Sequence, residues 1–87
     1  MSLSELMIDI PAEHEANVFG QFDAYAKKLE RTFHVTLIAR DGSMKIVGEK
    51  YGCGKKTHRV LTQLLELSRR GNTITEQNVD YAISLDF

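Results

Sequence analysis

The sequence predicts an α+β fold in two layers, a three-stranded antiparallel sheet with helices on one face, and three observations carry that reading. First, Phe22, Tyr25, Ala26, Leu29 and Phe33 fall at i, i+3, i+4, i+7 and i+11, on one face of a helix whose other face holds Lys27, Lys28, Glu30 and Arg31. Second, the apolar period then drops to two: Val35, Leu37 and Ala39 alternate with Thr36, Ile38 and Arg40, and Met44, Ile46 and Gly48 alternate with Lys45 and Val47. Asp41-Gly42-Ser43 between the two runs is turn chemistry, so the pair reads as a hairpin. Third, the span from about Lys55 to Arg70 repeats the helical pattern with Val60, Leu61, Leu64, Leu65 and Ser68 inward and Leu67 at the edge.

Taken in order, Met1 to Ser4 read as a terminal leader without structure. Leu6, Ile8 and Ile10 alternate with Met7 and Asp9, a short first strand that Pro11 ends. Pro11 also suits the first turn of a helix, and Glu13 and Glu15 lie at the positive end of its dipole. Ala12 to Phe19 is therefore a short helix, with Ala12, Ala16 and Phe19 or Val18 facing inward. Gly20-Gln21-Phe22-Asp23 is the corner between two helices, with Asp23 as N-cap and Phe22 entering the core; one continuous helix tolerating Gly20 is the alternative. Lys50 to Gly54 form a Gly-rich connection into the long helix, whose outward face carries Lys56, Arg59, Gln63, Glu66 and Arg70, and Gly71 ends it. Thr75 caps a last helix, Ile74 and Val79 make a hydrophobic staple, and Ala82 and Ile83 continue its buried side. The order is β-α-α-β-β-α with one further helix.

Eighty-seven residues suffice for one modest core, burying somewhat over ~60% of the unfolded surface. The single cysteine, Cys53, excludes an internal disulfide and agrees with a reducing, cytoplasmic setting. The N-terminus lacks the basic, then apolar pattern of a signal peptide, and no apolar run is long enough to span a bilayer. Eleven basic against twelve acidic residues leave a net charge of −1, so a nucleic-acid surface has to be a local patch.

The element order, with its short Gly-containing corner between the first two helices, resembles the type I KH RNA-binding fold. Four segments, Val18-Phe19-Gly20-Gln21-Phe22-Asp23, Lys45-Ile46-Val47-Gly48-Glu49, Leu64-Leu65-Glu66-Leu67 and Ile74 through Ile83, together resemble the N-terminal domain of PhoH-like proteins. The resemblance runs from about Ile8 onward and places residues 5–87 in one KH-like domain. It implies a larger parent whose next domain is a helicase-like P-loop ATPase linked to phosphate starvation and RNA metabolism. The ATP and magnesium sites then belong to that other domain, this chain is an excised non-catalytic fragment with no cofactor of its own, and its partners are single-stranded RNA, the ATPase domain and further copies of itself. The other expectation is a structural oligomerisation or docking domain that touches no nucleic acid.

Several motifs bear on that choice. Gly20-Gln21-Phe22-Asp23 occupies the place of the KH GXXG loop, whose glycines let the backbone clamp phosphates, but Asp23 replaces the last glycine with a carboxylate that repels them. Gly54-Lys55 follows a strand and opens a helix as a P-loop does, yet GxxxxGK[ST] needs glycine at Glu49 and Ser or Thr at Lys56. What remains is a flexible turn at Gly52 and Gly54, or backbone N–H groups that hold a phosphate with Lys55 and Lys56. Lys55, Lys56, His58, Arg59, Arg69 and Arg70 form a basic side of the long helix, and Lys27, Lys28 and Arg31 a second, each interrupted by Glu66, Glu30 or Glu49. The candidate nucleic-acid ligands are Lys55, Lys56, Arg59, Arg70, Lys27 and Lys28. His14, His34, His58 and Cys53 lack zinc spacing, no Cys-His or Ser-His pair is indicated, and Cys53 between two glycines reads as an accessible thiol.

Overall fold

The computed structural model describes residues 4–48 and 52–85, and its strands lie where the sequence alternates. Strands β1 (Ser4–Asp9), β2 (Val35–Arg40) and β3 (Ser43–Gly48) make one antiparallel sheet in the order β1-β3-β2. The central strand β3 sets the register, with Ile46 between Leu6 and Leu37 and Met44 between Ile8 and Ala39. Those pairs share one face, and Met7, Lys45 and Ile38 line up on the other. Ser4, expected in the leader, already pairs with Gly48.

Among the described residues four helices follow: α1 (Ala12–Phe19), α2 (Ala24–Phe33), α3 (Cys53–Arg69) and α4 (Glu76–Leu85). Helix α3 packs on the sheet and on both α1 and α2, and α4 packs on α3. The core is continuous from Ile10, Val18 and Leu29 through Ile46 to Val60, Leu61, Leu64 and Val79, all almost wholly buried. Each such side chain contributes about 1.5–3 kcal/mol on leaving water. The long-helix stripe is buried as its spacing predicts, with Leu67 partly buried at its edge.

Two closures explain why the helices end where they do. At the end of α3, Gly71 N–H reaches the Ser68 carbonyl at 3.0 Å and Asn72 N–H the Leu67 carbonyl at 3.2 Å, a Schellman arrangement with Gly71 at C′. At the start of α4, the Thr75 hydroxyl accepts the Asn78 N–H at 3.2 Å while Asn78 Oδ1 accepts the Thr75 N–H at 2.9 Å. That is a reciprocal capping box with Asn in the place of Glu, flanked by the buried pair Ile74 and Val79.

The structure also departs from the sequence reading in the first two helices, at the corner between them and on β2. Ala12 and Ala16 are exposed, because α1 is rotated to direct His14, Asn17 and Val18 at its neighbours. Phe22 is not on the α2 stripe: the chain leaves the helical path at Gly20, forms a 3-10 turn over Gln21–Asp23, and α2 begins only at Ala24. Asp23 occupies the N-cap position of α2 in the left-handed region, with no side-chain cap hydrogen bond. Ala39 is exposed because β2 is an edge strand, with Leu37 only half covered.

The Gly-rich connection also differs from expectation. Residues 49–51, within which the P-loop comparison at Glu49 falls, lie outside the described residues. Helix α3 starts at Cys53, two residues ahead of Lys55, so Gly54 is helical and buried instead of part of a flexible turn. The reason is close packing: a Cβ on Gly48 would lie 3.3 Å from the Gly54 nitrogen, and one on Gly54 would lie 3.5 Å from Leu6 Cδ1. Glycine on both sides lets the first turn of α3 sit directly on the end of the sheet. Cys53, read as accessible, is half-buried against the core, and its carbonyl accepts the Thr57 hydroxyl at 2.9 Å.

Candidate nucleic-acid interface

The corner between α1 and α2 holds two of the three non-glycine residues with positive φ among the described residues. Gly20 has φ +80°, and a Cβ there would come within 2.6 Å of the Tyr25 ring, so only glycine lets the chain turn over that ring. Two non-glycine residues follow in the left-handed region, Phe22 at φ 56° and Asp23 at φ 58°. Such conformations are costly for side-chain-bearing residues and persist only where the surroundings fix them. Here the Gly20 N–H donates to the Ala16 carbonyl at 3.0 Å, the Asp23 N–H to the Gly20 carbonyl at 3.1 Å, and the Tyr25 hydroxyl to the Ile74 carbonyl at 3.3 Å. The outcome is a hydrogen-bonded turn that presents Phe22 to solvent at 84% exposure.

Beside the corner, α2 and the hairpin enclose a groove of about 200 Å³. Its floor is apolar, from Phe19, Ala26, Leu37, Ala39 and Met44, and its rim carries Asp23, Lys27 and Glu30. The Glu30 carboxylate accepts the Leu37 N–H at 2.9 Å, tying α2 to the edge strand and orienting one acidic group along the groove. Lys27 is exposed on the same rim.

The remaining basic candidates are distributed over the surface. Lys55 and Arg59, one turn apart on α3, line a cleft of about 290 Å³ with His58 and Leu6. Lys56 is half-buried, and its N–H donates to the Gly52 carbonyl at 3.1 Å to start the helix. Arg70 pairs with Glu66 at 3.1 Å on the far end of α3, and both line a groove between α3 and α4 with Tyr81. Arg69 is exposed at the last turn of α3. Lys28 is bound by Asp80 and by Glu76, the latter at 3.6 Å, joining α2 to α4. The hydrogen bond to Asp80 is the main cause holding the Lys28 ammonium above its ordinary pKa of 10.5; partial burial opposes it, and the charges of Asp80 and Glu76 add to it. The structure thus brings only Lys27 together with the corner, gathers Lys55 and Arg59 in a second cleft, and commits Lys28 to holding helices together.

One cluster has no counterpart in the sequence reading. His14 Nδ1 lies 2.7 Å from the Ser68 hydroxyl, which also accepts from Asn17 Nδ2 at 2.8 Å. A Ser-His pair therefore exists, but Ser68 is only 6% exposed and the Asn17 amide holds it, so it serves as a polar clasp between α1 and α3. The available signal was His14, Asn17 and Val18 recurring at i, i+3 and i+4. Among the described residues no three His, Cys, Asp or Glu side chains are grouped as a metal site requires, and no described helix is long and apolar enough to cross a membrane.

Scanned against protein-family models the chain matches none, and no curated protein matches it.

Proposed function

We propose that this chain is a KH-like, non-catalytic accessory domain that binds single-stranded RNA for a PhoH-like ATPase. What supports the fold part is the β-α-α-β-β-α order ending in an extra helix, with the glycine corner joining the first two helices. The observation that carries the binding part is the groove beside that corner. Sequence-specific RNA recognition works on unstacked bases, which need an apolar slot with polar groups at its edge. The slot floored by Phe19, Leu37 and Met44, with Lys27 and Glu30 on its rim, has that composition at the size of a single ring. Lys27 is placed for a phosphate and the Glu30 carboxylate for a base amino group. The cleft of Lys55, His58 and Arg59 offers a second point for the backbone of a longer strand.

The test is titration of a labelled single-stranded RNA oligonucleotide at low and moderate salt. Binding should weaken with salt and should fall further on Lys27→Glu, or on joint charge reversal at Lys55 and Arg59. Absence of binding at low salt overturns the reading.

A second reading, docking or self-association, is favoured by one observation, the 66% and 55% exposure of Tyr81 and Leu85 one turn apart on α4. A mass that rises with concentration and returns to monomer on Tyr81→Glu, without RNA binding, would favour it.

A further inference from the structure

We propose that Phe22 is a stacking platform for an unpaired nucleobase, a role that rests on the nucleic-acid reading above and adds to it a second base position outside the groove. Three observations lead there. The ring is 84% exposed although the chain turns at a residue, Gly20, that no other amino acid replaces without colliding with Tyr25. Phe22 and its neighbour Asp23 both hold left-handed backbone conformations, so the turn is kept at an energetic cost while its aromatic side chain faces water. Asp23, the next residue in the chain, lines the apolar groove, so the turn that carries Phe22 borders it.

The chemistry of the surroundings selects the partner. An apolar protein surface requires a contiguous apolar patch. Phe22 has none along the chain: Gln21 and Asp23 flank it, and the other large exposed apolar side chains sit on other elements, Met7 on β1, Ile38 on β2, Tyr81 and Leu85 on α4. An isolated exposed ring on a left-handed turn suits a single planar partner, and a base provides a π-face of matching size whatever its identity. The position is therefore sequence-tolerant, whereas the groove beside it, with Lys27 and Glu30 at its edge, discriminates between bases.

The chain contains no tryptophan, so Phe22→Trp introduces a single tryptophan at the platform that is excited apart from the three tyrosines. The probes are a fluorescein-labelled oligouridylate and an abasic ribose-phosphate oligomer of the same length. Wild type should bind the oligouridylate better than the abasic oligomer. Phe22→Ala should weaken oligouridylate binding by about 5- to 150-fold, with an unchanged salt slope because phosphate contacts remain. Phe22→Trp should retain affinity, and its emission should be quenched on binding. If wild type binds and Phe22→Ala binds equally well, the platform is overturned and the RNA reading stands. If wild type binds neither probe, both fall. A Phe22→Trp emission that shifts to the blue with protein concentration in the absence of RNA places the ring in a protein contact and overturns the platform.

Discussion

The side-chain oxygen of Asn17 accepts the backbone N–H of Ile74 at 2.8 Å across 57 residues of sequence. The amide nitrogen of the same side chain donates to the Ser68 hydroxyl and to the Asn72 carbonyl, both at 2.8 Å. From the other side, the Tyr25 hydroxyl donates to the Ile74 carbonyl at 3.3 Å. Both backbone polar groups of Ile74 are thus taken by side chains of α1 and α2, and the apolar side chain of Ile74 is buried beside Val79. The link between α3 and α4 is thereby locked to the two helices that flank the corner.

Asn17→Ala removes three hydrogen bonds at once, leaving the Ile74 N–H without its acceptor and the buried Ser68 hydroxyl with His14 alone. The expected loss is about 2–3 kcal/mol, since an unsatisfied buried group costs roughly 1–3 kcal/mol. Urea denaturation of wild type and variant checks it; a loss under 0.5 kcal/mol would show that water replaces the amide at no cost.

Gly20→Ala is expected to be worse. The new methyl group would enter the Tyr25 ring at 2.6 Å in a backbone region that suits glycine alone. Strain of about 1–3 kcal/mol adds to the displacement of a ring that anchors Ile74. A variant with reduced thermal stability and a loosened Tyr25 environment by NMR is the expected result; a wild-type melting curve would contradict the geometry.

The long repeating patterns and the glycine that ends α3 were legible in the sequence, and the left-handed turn that follows Gly20 was not. The stripe Val60, Leu61, Leu64 and Leu65 and the alternation of Met44 and Ile46 each repeat, and the structure buries all of them. Phe22 also fits the α2 period, yet it is solvated, because its membership in the stripe required helical torsions that the turn at Gly20 denies it. Ala12 and Ala16 failed for another reason. In a short helix with few apolar residues, His14 and Asn17 outcompete alanine for the inner face when Ser68 and the Ile74 backbone wait there to be satisfied. The candidate groove was invisible in sequence, since it joins residues from Phe19 to Met44 that only the packing of α2 against the hairpin assembles.

Leu64→Ala tests the pattern-derived core. Leu64 is fully buried in the centre of the α3 stripe, and removing its side chain should cost about 2–5 kcal/mol. Leu29→Ala, equally buried on α2, should fall in the same range. A shift below 1 kcal/mol at either site would mean that the core closes over the cavity.

Lys28 gives a pH signature. Its ammonium is stabilised in the folded state by Asp80 and Glu76, so its pKa lies above the ordinary 10.5 that it has in the unfolded chain. The contribution is therefore fully present below pH 10.5 and is lost as the pH rises through the higher folded-state value. Lys28→Met should be less stable than wild type by up to about 1 kcal/mol at neutral pH. On the alkaline side that difference should shrink only above pH 10.5, and acid strong enough to protonate the two carboxylates should remove it as well. A difference that vanishes already near neutrality would show that the bridge does not form in solution.

Asp23→Gly bears on the corner from both sides. Asp23 pays left-handed strain without capping α2, so glycine at this position relieves about 1–2 kcal/mol, less the roughly 0.4–1 kcal/mol by which glycine favours the unfolded chain. A net gain of between about 0 and 1.6 kcal/mol in denaturant is expected. The same change removes a carboxylate from the rim of the groove, and a like charge of that kind near a phosphate is worth up to about 1 kcal/mol. RNA should then bind about two- to five-fold tighter. Asp23→Asn separates the two effects, because asparagine tolerates the left-handed region while carrying no charge. It should reproduce the gain in affinity with little change in stability. If neither variant alters RNA affinity while both fold, the corner rim lies off the path of the bound strand.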